Sequence, residues 1–217
     1  MNQNRRSPYY PVFLDVKGRT CVVVGGGQVA LRKVRALLER GATVKVISFA
    51  VCSELHLLAE SGEISVLTKG YESEDLEGAL VAIAATDDRS TNLMVAKDAR
   101  SRGVIVNVVD DDKSSDFIVP ACVHRGDVTI AISTGGRSPA LARRIRERLE
   151  EEFGEEYATL AILLGDVRTE LKQQRIEVSS DAWQETLDLD LLIDLLKKGD
   201  GEKVRTILLN KLKAHKE

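Results

Sequence analysis

Thr20-Cys21-Val22-Val23-Val24-Gly25-Gly26-Gly27-Gln28-Val29-Ala30 sets a β-branched apolar run directly against a glycine cluster and the opening of a helix. An unbroken apolar run of this length is the mark of a strand buried on both faces, as in a parallel sheet. The helix that follows runs to Arg40, with Val29, Val34, Leu37 and Leu38 on one side and Gly41 placed for a left-handed C-terminal cap. The spacing Gly25-x-Gly27-x-x-Ala30 suits a phosphate-cradling turn. Gly25 permits the tight turn, Gly27 lets backbone approach a pyrophosphate, and Ala30 keeps helix and strand close. Gln28 and Val29 then offer backbone N–H groups at the positive end of the helix dipole. The competing reading is a tight strand-to-helix turn that binds nothing.

The alternation continues toward the C-terminus. Strands are expected at Thr43–Ile47, Ile64–Leu67, Leu80–Thr86 and Val104–Val109, with a helix from Asp88 to Arg102. Repeated β-α-β predicts an α/β, Rossmann-like parallel sheet. Ligands of such sheets bind beyond the carboxyl ends of the strands. Gly25–Gly27, Ala85–Asp88 and Asn107–Asp110 all fall at such ends. Where an acid ordinarily holds the ribose hydroxyls, the second strand runs into Ser48-Phe49-Ala50. Ser48 can still hydrogen-bond a ribose, and Phe49 faces the adenosine. No arginine sits immediately beside Ser48 to neutralise a 2′-phosphate, which favours NAD over NADP. Thr86 and Asn107 are candidates for the nicotinamide ribose or amide, with strand-end capping as the alternative.

The pattern changes after Asp112. Phe117–Cys122 and Val128–Ile132 are expected as strands of a hairpin across Arg125-Gly126-Asp127. Ser133-Thr134-Gly135-Gly136 leads into a helix that Ser138 can cap, with Pro139 in its first turn. From Glu150 the chain is helical and highly charged. One helix is expected from Asp181, carrying Leu187, Leu191, Leu192, Leu195 and Leu196, with Trp183 as a core anchor. After a break at Gly199-Asp200-Gly201 a last helix runs to Lys213. The expected divisions are 1–113, a nucleotide-binding domain; 114–150, a hairpin and helix; and 151–217, a helical domain.

Composition narrows the function. The 217 residues are 43% hydrophobic and 30% charged, enough apolar surface for a packed core. A net charge of −3 argues against a protein that coats nucleic acid or an anionic membrane. Three scattered cysteines form neither a disulfide framework nor a zinc site, as expected of reduced cytosolic thiols. His56, His124 and His215 form no ligand cluster, so no resident metal is expected, and His124 is structural. The polar N-terminus has no signal-peptide core and no apolar run spans a bilayer, so a soluble cytoplasmic protein is expected.

Five ordered motifs carry a resemblance. They are Val24–Lys33, Ala84-Ala85-Thr86-Asp87-Asp88, Asn107-Val108-Val109-Asp110, Phe117-Ile118-Val119-Pro120, and Ile132–Arg143. Over residues 8–150 the chain resembles the precorrin-2 dehydrogenase family, which includes the dehydrogenase/ferrochelatase part of sirohaem synthase. The resemblance implies that NAD takes a hydride from precorrin-2 and that a proton is lost, giving sirohydrochlorin. Some members also insert ferrous iron, as a substrate, to give sirohaem. The family implies a homodimer with residues 114–150 at the interface. It also places its catalytic aspartate at Asp110.

A carboxylate at a strand's carboxyl end can accept a proton as hydride leaves, and can take pyrrole N–H protons during metal insertion. A solvated acidic turn is the alternative for Asp110. Ser133, Thr134, Gly135 and Arg137 are candidates to meet the carboxylates of the tetrapyrrole, since guanidinium forks suit such groups. The competing reading is a surface helix whose arginines pair with Glu147, Glu150 and Glu151. A non-catalytic NAD-sensing module, which needs no Asp110, is the remaining alternative.

Overall fold

The computed structural model describes residues 9–214. Residues 1–8 and His215 therefore lie outside the described residues. The chain divides into two compact units, the first ending at Val119 and the second beginning at Pro120.

The first unit is built on five parallel strands: β1 (Thr20–Val24), β2 (Thr43–Ile47), β3 (Ile64–Leu67), β4 (Ala79–Ala84) and β5 (Ile105–Val108). Their order is β3-β2-β1-β4-β5, so the strand that feeds the glycines is central. Helices α1 (Gln28–Leu38), α2 (Ser53–Glu60) and α3 (Arg89–Ser101) complete the unit. Successive side chains of a strand point to opposite faces. Cys21 and Val23 accordingly pack with Ala30, Leu31 and Val34 of α1 and Leu55 of α2. Val22 and Val24 pack with Val95, Ala96 and Ala99 of α3. Both faces are covered, which is why β1 has no polar residue from Cys21 to Val24. Each such aliphatic side chain contributes about 1.5–3 kcal/mol on burial. Helix α2 had no sequence signal, because Leu55 is its only buried side chain.

Sequence and structure part company after β5. No strand starts at Phe117; the hairpin strand β6 runs Ala121–Arg125. The preceding segment instead covers the outer edge of β5, with Asp116 N–H donating to Val106 O at 2.8 Å and side chains taking the strand's own N–H groups. Val106 N–H donates to Asp116 Oδ2 at 3.1 Å, and Val108 N–H donates to Ser115 Oγ at 2.8 Å. Asp116 is held in turn by Arg100 Nε at 2.9 Å. An edge capped in this way offers no template for another strand.

The second unit opens with β6 and β7 (Val128–Ile132), antiparallel around Gly126-Asp127. Helix α4 (Pro139–Glu152) starts as expected, with Ser138 Oγ accepting from Leu141 N–H at 3.2 Å. Its other end is capped by Arg125, which donates to Phe153 O at 2.7 Å and to Glu150 O at 2.9 Å. A cation there also suits the negative end of the helix dipole.

Helices α5 (Glu156–Gln173), α6 (Ser180–Thr186), α7 (Leu189–Lys197) and α8 (Gly201–Ala214) follow. The single helix expected from Asp181 is thus two. Leu187 leaves the helical region, and Asp188 starts α7 by accepting from Leu191 N–H at 3.2 Å. The helical core contains Leu160, Val167, Leu171, Leu192, Val204, Leu208 and Leu212. Trp183 packs against it only partly buried, with the Arg168 guanidinium 5.4 Å from its ring centroid.

Among the described residues no helix is long and apolar enough to cross a membrane. No group of His, Cys, Asp and Glu among them could hold a metal ion. His124 Nδ1 lies 3.0 Å from Thr129 Oγ1 across the hairpin, the structural place expected of it. Cys21 and Cys52 are free thiols, and Cys122 Sγ donates to Pro120 O at 3.7 Å. Burial pushes the Cys21 thiol up to about 11, against a minor opposing effect of Arg19. Alkylation of the native protein at mildly alkaline pH is expected to spare Cys21 until the chain unfolds, as read by peptide mass spectrometry. Modification of Cys21 as fast as Cys52 would contradict the buried core.

Candidate active site

The three glycines do different work. Gly25 has φ +127, and a Cβ there would lie 2.3 Å from Ala85 O, so neither conformation nor space admits a side chain. At Gly26 a Cβ would lie 1.9 Å from Ala50 O, where the chain leaving β2 crosses the turn. Cys52 N–H donates to Gly26 O at 2.8 Å and fastens that crossing. Gly26 occupies an unspecified position of the motif, so spacing alone assigned it nothing. Gly27 is the opposite case. A Cβ there would meet nothing within 4 Å, and its backbone is extended. It begins α1 with no side-chain cap, which leaves the N–H groups of the first turn at Gln28 and Val29 unclaimed by side chains. An open approach to uncapped helical N–H groups fits a pyrophosphate.

The strand ends run in step. Ala85 N–H donates to Val24 O at 2.8 Å, and Val109 N–H donates to Ala84 O at 3.0 Å. One strand separates β1 from β5, so the glycine turn and the end of β5 lie about 10 Å apart at roughly 4.8 Å per strand. Asp110, exposed and just past β5, has φ +60. Left-handed backbone is uncommon outside glycine, and Asp and Asn tolerate it best.

The residues after Asp110 hold that turn. The Asp111 carboxylate accepts from Lys113 N–H at 3.1 Å, Ser114 N–H at 3.2 Å and Ser114 Oγ at 2.8 Å. Ser115 Oγ donates to Asp111 O at 2.8 Å. These bonds, the Ser114 hydroxyl foremost, hold the Asp111 carboxyl below the usual aspartate range. Asp111 is therefore a turn former. The Asp110 carboxylate makes no hydrogen bond or ion pair among the described residues. Lys33 of α1 lies within electrostatic reach of it. Burial first and the charge of Arg32 second pull the Lys33 ammonium below its ordinary value, and Asp110 opposes them.

The strand-end polar residues are more engaged. Asn92 Oδ1 receives Thr86 N–H at 3.2 Å and lies 2.7 Å from Thr86 Oγ1, while Asn92 Nδ2 donates to Thr86 O at 2.8 Å. Asn92 is buried and was not singled out from the sequence; a lone amide on the apolar face of α3 was the available signal. Asp88 caps α3 through Ser90 N–H and Thr91 N–H; the Thr91 and Ser90 hydroxyls first, and these N–H groups after them, hold its carboxyl far below the usual range. Asn107 is buried, and its Nδ2 donates to Phe117 O at 3.0 Å. Ser48 Oγ donates to Ala50 O at 2.7 Å. Phe49 is 77% exposed, with its ring edge against Gly70.

In the second unit, Ser133 Oγ accepts from Gly135 N–H and Thr134 Oγ1 accepts from Ser138 N–H, both at 3.0 Å. Gly135 and Gly136 are both left-handed. Arg137 is exposed and makes no ion pair among the described residues, whereas Arg144 and Arg146 pair along α4 with Glu147 and Glu150.

Comparison with known proteins agrees with this geometry. A family model described as "Putative NAD(P)-binding" matches residues 12–121, and one described as "Sirohaem biosynthesis protein central" matches residues 125–152. A siroheme synthase of Methylococcus capsulatus is 41% identical over 203 residues, 93% of this chain and 43% of that protein. One of Chromobacterium violaceum is 38% identical over 208 residues, 95% of this chain and 44% of that protein. The chain thus spans less than half the length of these curated relatives. A solved structure titled "SirC, precorrin-2 dehydrogenase" matches with a TM-score of 0.70 at 30% identity, over 94% of this chain and 100% of that one. Sheet order, glycine turn and uncapped helix start define a dinucleotide-binding protein of the Rossmann type, and the matching family model points to NAD(P) as the dinucleotide. Within that class, the chain belongs to the precorrin-2 dehydrogenase family of sirohaem biosynthesis.

Proposed function

We propose that the chain oxidises precorrin-2 to sirohydrochlorin with NAD, rather than NADP, as the acceptor. The observation that carries this reading is the likeness to a precorrin-2 dehydrogenase along the whole of that chain, joined to an unengaged acid at the edge that bears the glycine turn. A nicotinamide bound there supplies a two-electron acceptor for one hydride. The chain's own residues do the rest. Gly25 and Gly27 with the N–H groups of Gln28 and Val29 bind the pyrophosphate. Ser48 and Phe49 meet the adenosine. Thr86 and Asn107 hold the nicotinamide side. Asp110 takes the proton that precorrin-2 loses with the hydride and passes it to water. Ser133, Thr134, Gly135 and Arg137 meet the substrate's carboxylates, supported by the unpaired guanidinium of Arg137. The same proposal takes residues 114–150 as a homodimer interface, supported by the exposed Leu141 and Ile145 of α4.

An anaerobic assay of the purified protein with precorrin-2 and NAD⁺ tests the reading. NADH and sirohydrochlorin are expected to form in equal amounts. Folded protein that binds NAD⁺ and forms no NADH contradicts it. The siroheme synthase relatives favour a second activity, insertion of ferrous iron as a substrate, with Asp110 accepting the pyrrole protons. Insertion into sirohydrochlorin faster than the spontaneous rate is then expected, and an unchanged rate leaves the dehydrogenase alone.

A further inference from the structure

The acid that ordinarily holds the cofactor's ribose is missing from the end of β2. The fold brings a different acid to that neighbourhood. The Cys52 N–H bond to Gly26 O, at 2.8 Å, docks the start of α2 on the glycine turn. Glu54, in the first turn of α2, accepts from Ser53 Oγ at 2.9 Å. Its own backbone N–H first, then Ser53, with smaller contributions from Gln28 and Cys52, hold its carboxyl below the usual glutamate range. Glu54 follows Cys52 by two residues, so the docking of Cys52 on Gly26 sets this first-turn acid of α2 in the neighbourhood of the glycine turn and its open phosphate approach. No ion pair engages Glu54 among the described residues.

The lysine that follows β3, the strand paired with β2, is already committed. Ser48 N–H donates to Leu67 O at 3.2 Å, which sets the end of β3 beside Ser48. Two residues on, the Lys69 ammonium is held by Glu72 at 2.6 Å and Asp75 at 2.9 Å. A 2′-phosphate would therefore meet an uncompensated carboxylate and a cation with its charge already matched.

We propose that Glu54 receives the adenosine ribose hydroxyls and repels a 2′-phosphate, so that this residue from α2 makes the site select NAD. The proposal rests on the dinucleotide-binding reading above. A first-turn acid also favours its own helix dipole. That role alone would touch the stability of α2 and would not discriminate between two dinucleotides.

Titration calorimetry of the full chain with NAD⁺ and with NADP⁺, without tetrapyrrole, separates these cases. Glu54→Gln keeps size and polarity on an accessible position, and an unchanged melting temperature verifies its fold. Loss of a charge-assisted hydrogen bond is expected to raise the Kd for NAD⁺ about tenfold to a hundredfold. The preference for NAD⁺ over NADP⁺ should narrow by at least as much, and Glu54→Arg should reverse it. A wild-type chain that binds neither dinucleotide overturns the dinucleotide reading together with this assignment. Binding of NAD⁺ with the same preference in both variants overturns the assignment of Glu54 alone.

Discussion

Asp110→Asn is expected to lower precorrin-2 oxidation by about 10²–10⁴-fold, the usual worth of a general base, while the Kd for NAD⁺ stays near that of the parent. Asparagine is the informative replacement because of the backbone. Residue 110 sits at φ +60, which Asn tolerates as readily as Asp. Alanine there would add strain of about 1–3 kcal/mol and confound a catalytic loss with a conformational one. The neighbouring acids supply a control. Asp111 is tied up in three hydrogen bonds that shape the turn. Asp111→Asn is therefore expected to disturb loop order and stability more than the proton transfer itself. A single-turnover trace of NADH formation separates the two. If Asp110→Asn turned over at the parental rate, a proton acceptor at this position would be excluded.

The second large effect concerns the glycine turn, where adjacent positions should fail in different ways. Gly27→Ala places a methyl in open space on a backbone that any residue adopts. It should fold with at most about 1 kcal/mol lost at the helix start. The methyl would stand in the approach to the N–H groups of Gln28 and Val29, so the Kd for NAD⁺ is expected to rise at least about tenfold, or roughly 1.4 kcal/mol. Gly26→Ala drives a Cβ to 1.9 Å from Ala50 O, and backbone must give way. Overpacking of that kind costs about 1–3 kcal/mol, and here it also breaks the seat of α2. Calorimetric melting should show a larger drop for Gly26→Ala than for Gly27→Ala. The reverse order would mean that Gly27 is a packing residue and that its open face admits no phosphate.

Much of the nucleotide-binding unit was legible because its signals are local. A strand buried on both faces must be continuously apolar, so Cys21–Val24 announced β1 without help from distant residues. Gly25 and Ala30 could be placed by spacing for the same reason. What stayed hidden depends on partners far along the chain. Gly26 matters only because Ala50 crosses it. Asn92 matters only because Thr86, two residues past the end of β4, meets it. Phe117 looked like a strand residue because its neighbours are apolar. Its segment is instead pinned to β5 by Ser115 and Asp116, an edge arrangement that no periodicity encodes. The split of the helix expected from Asp181 was readable in principle, since Asp188 is a good cap, but the leucines on either side masked it. At the site, Asp110 was reached through a motif match, whereas its left-handed backbone and its difference from Asp111 needed coordinates.

The most direct test of the account is a crystal structure of the wild-type chain with NAD⁺ bound. The pyrophosphate should lie against Gly27 and the N–H groups of Gln28 and Val29, with the nicotinamide over the ends of β4 and β5, on the Asp110 side. A nicotinamide directed toward β2 and β3, away from Asp110, would contradict it.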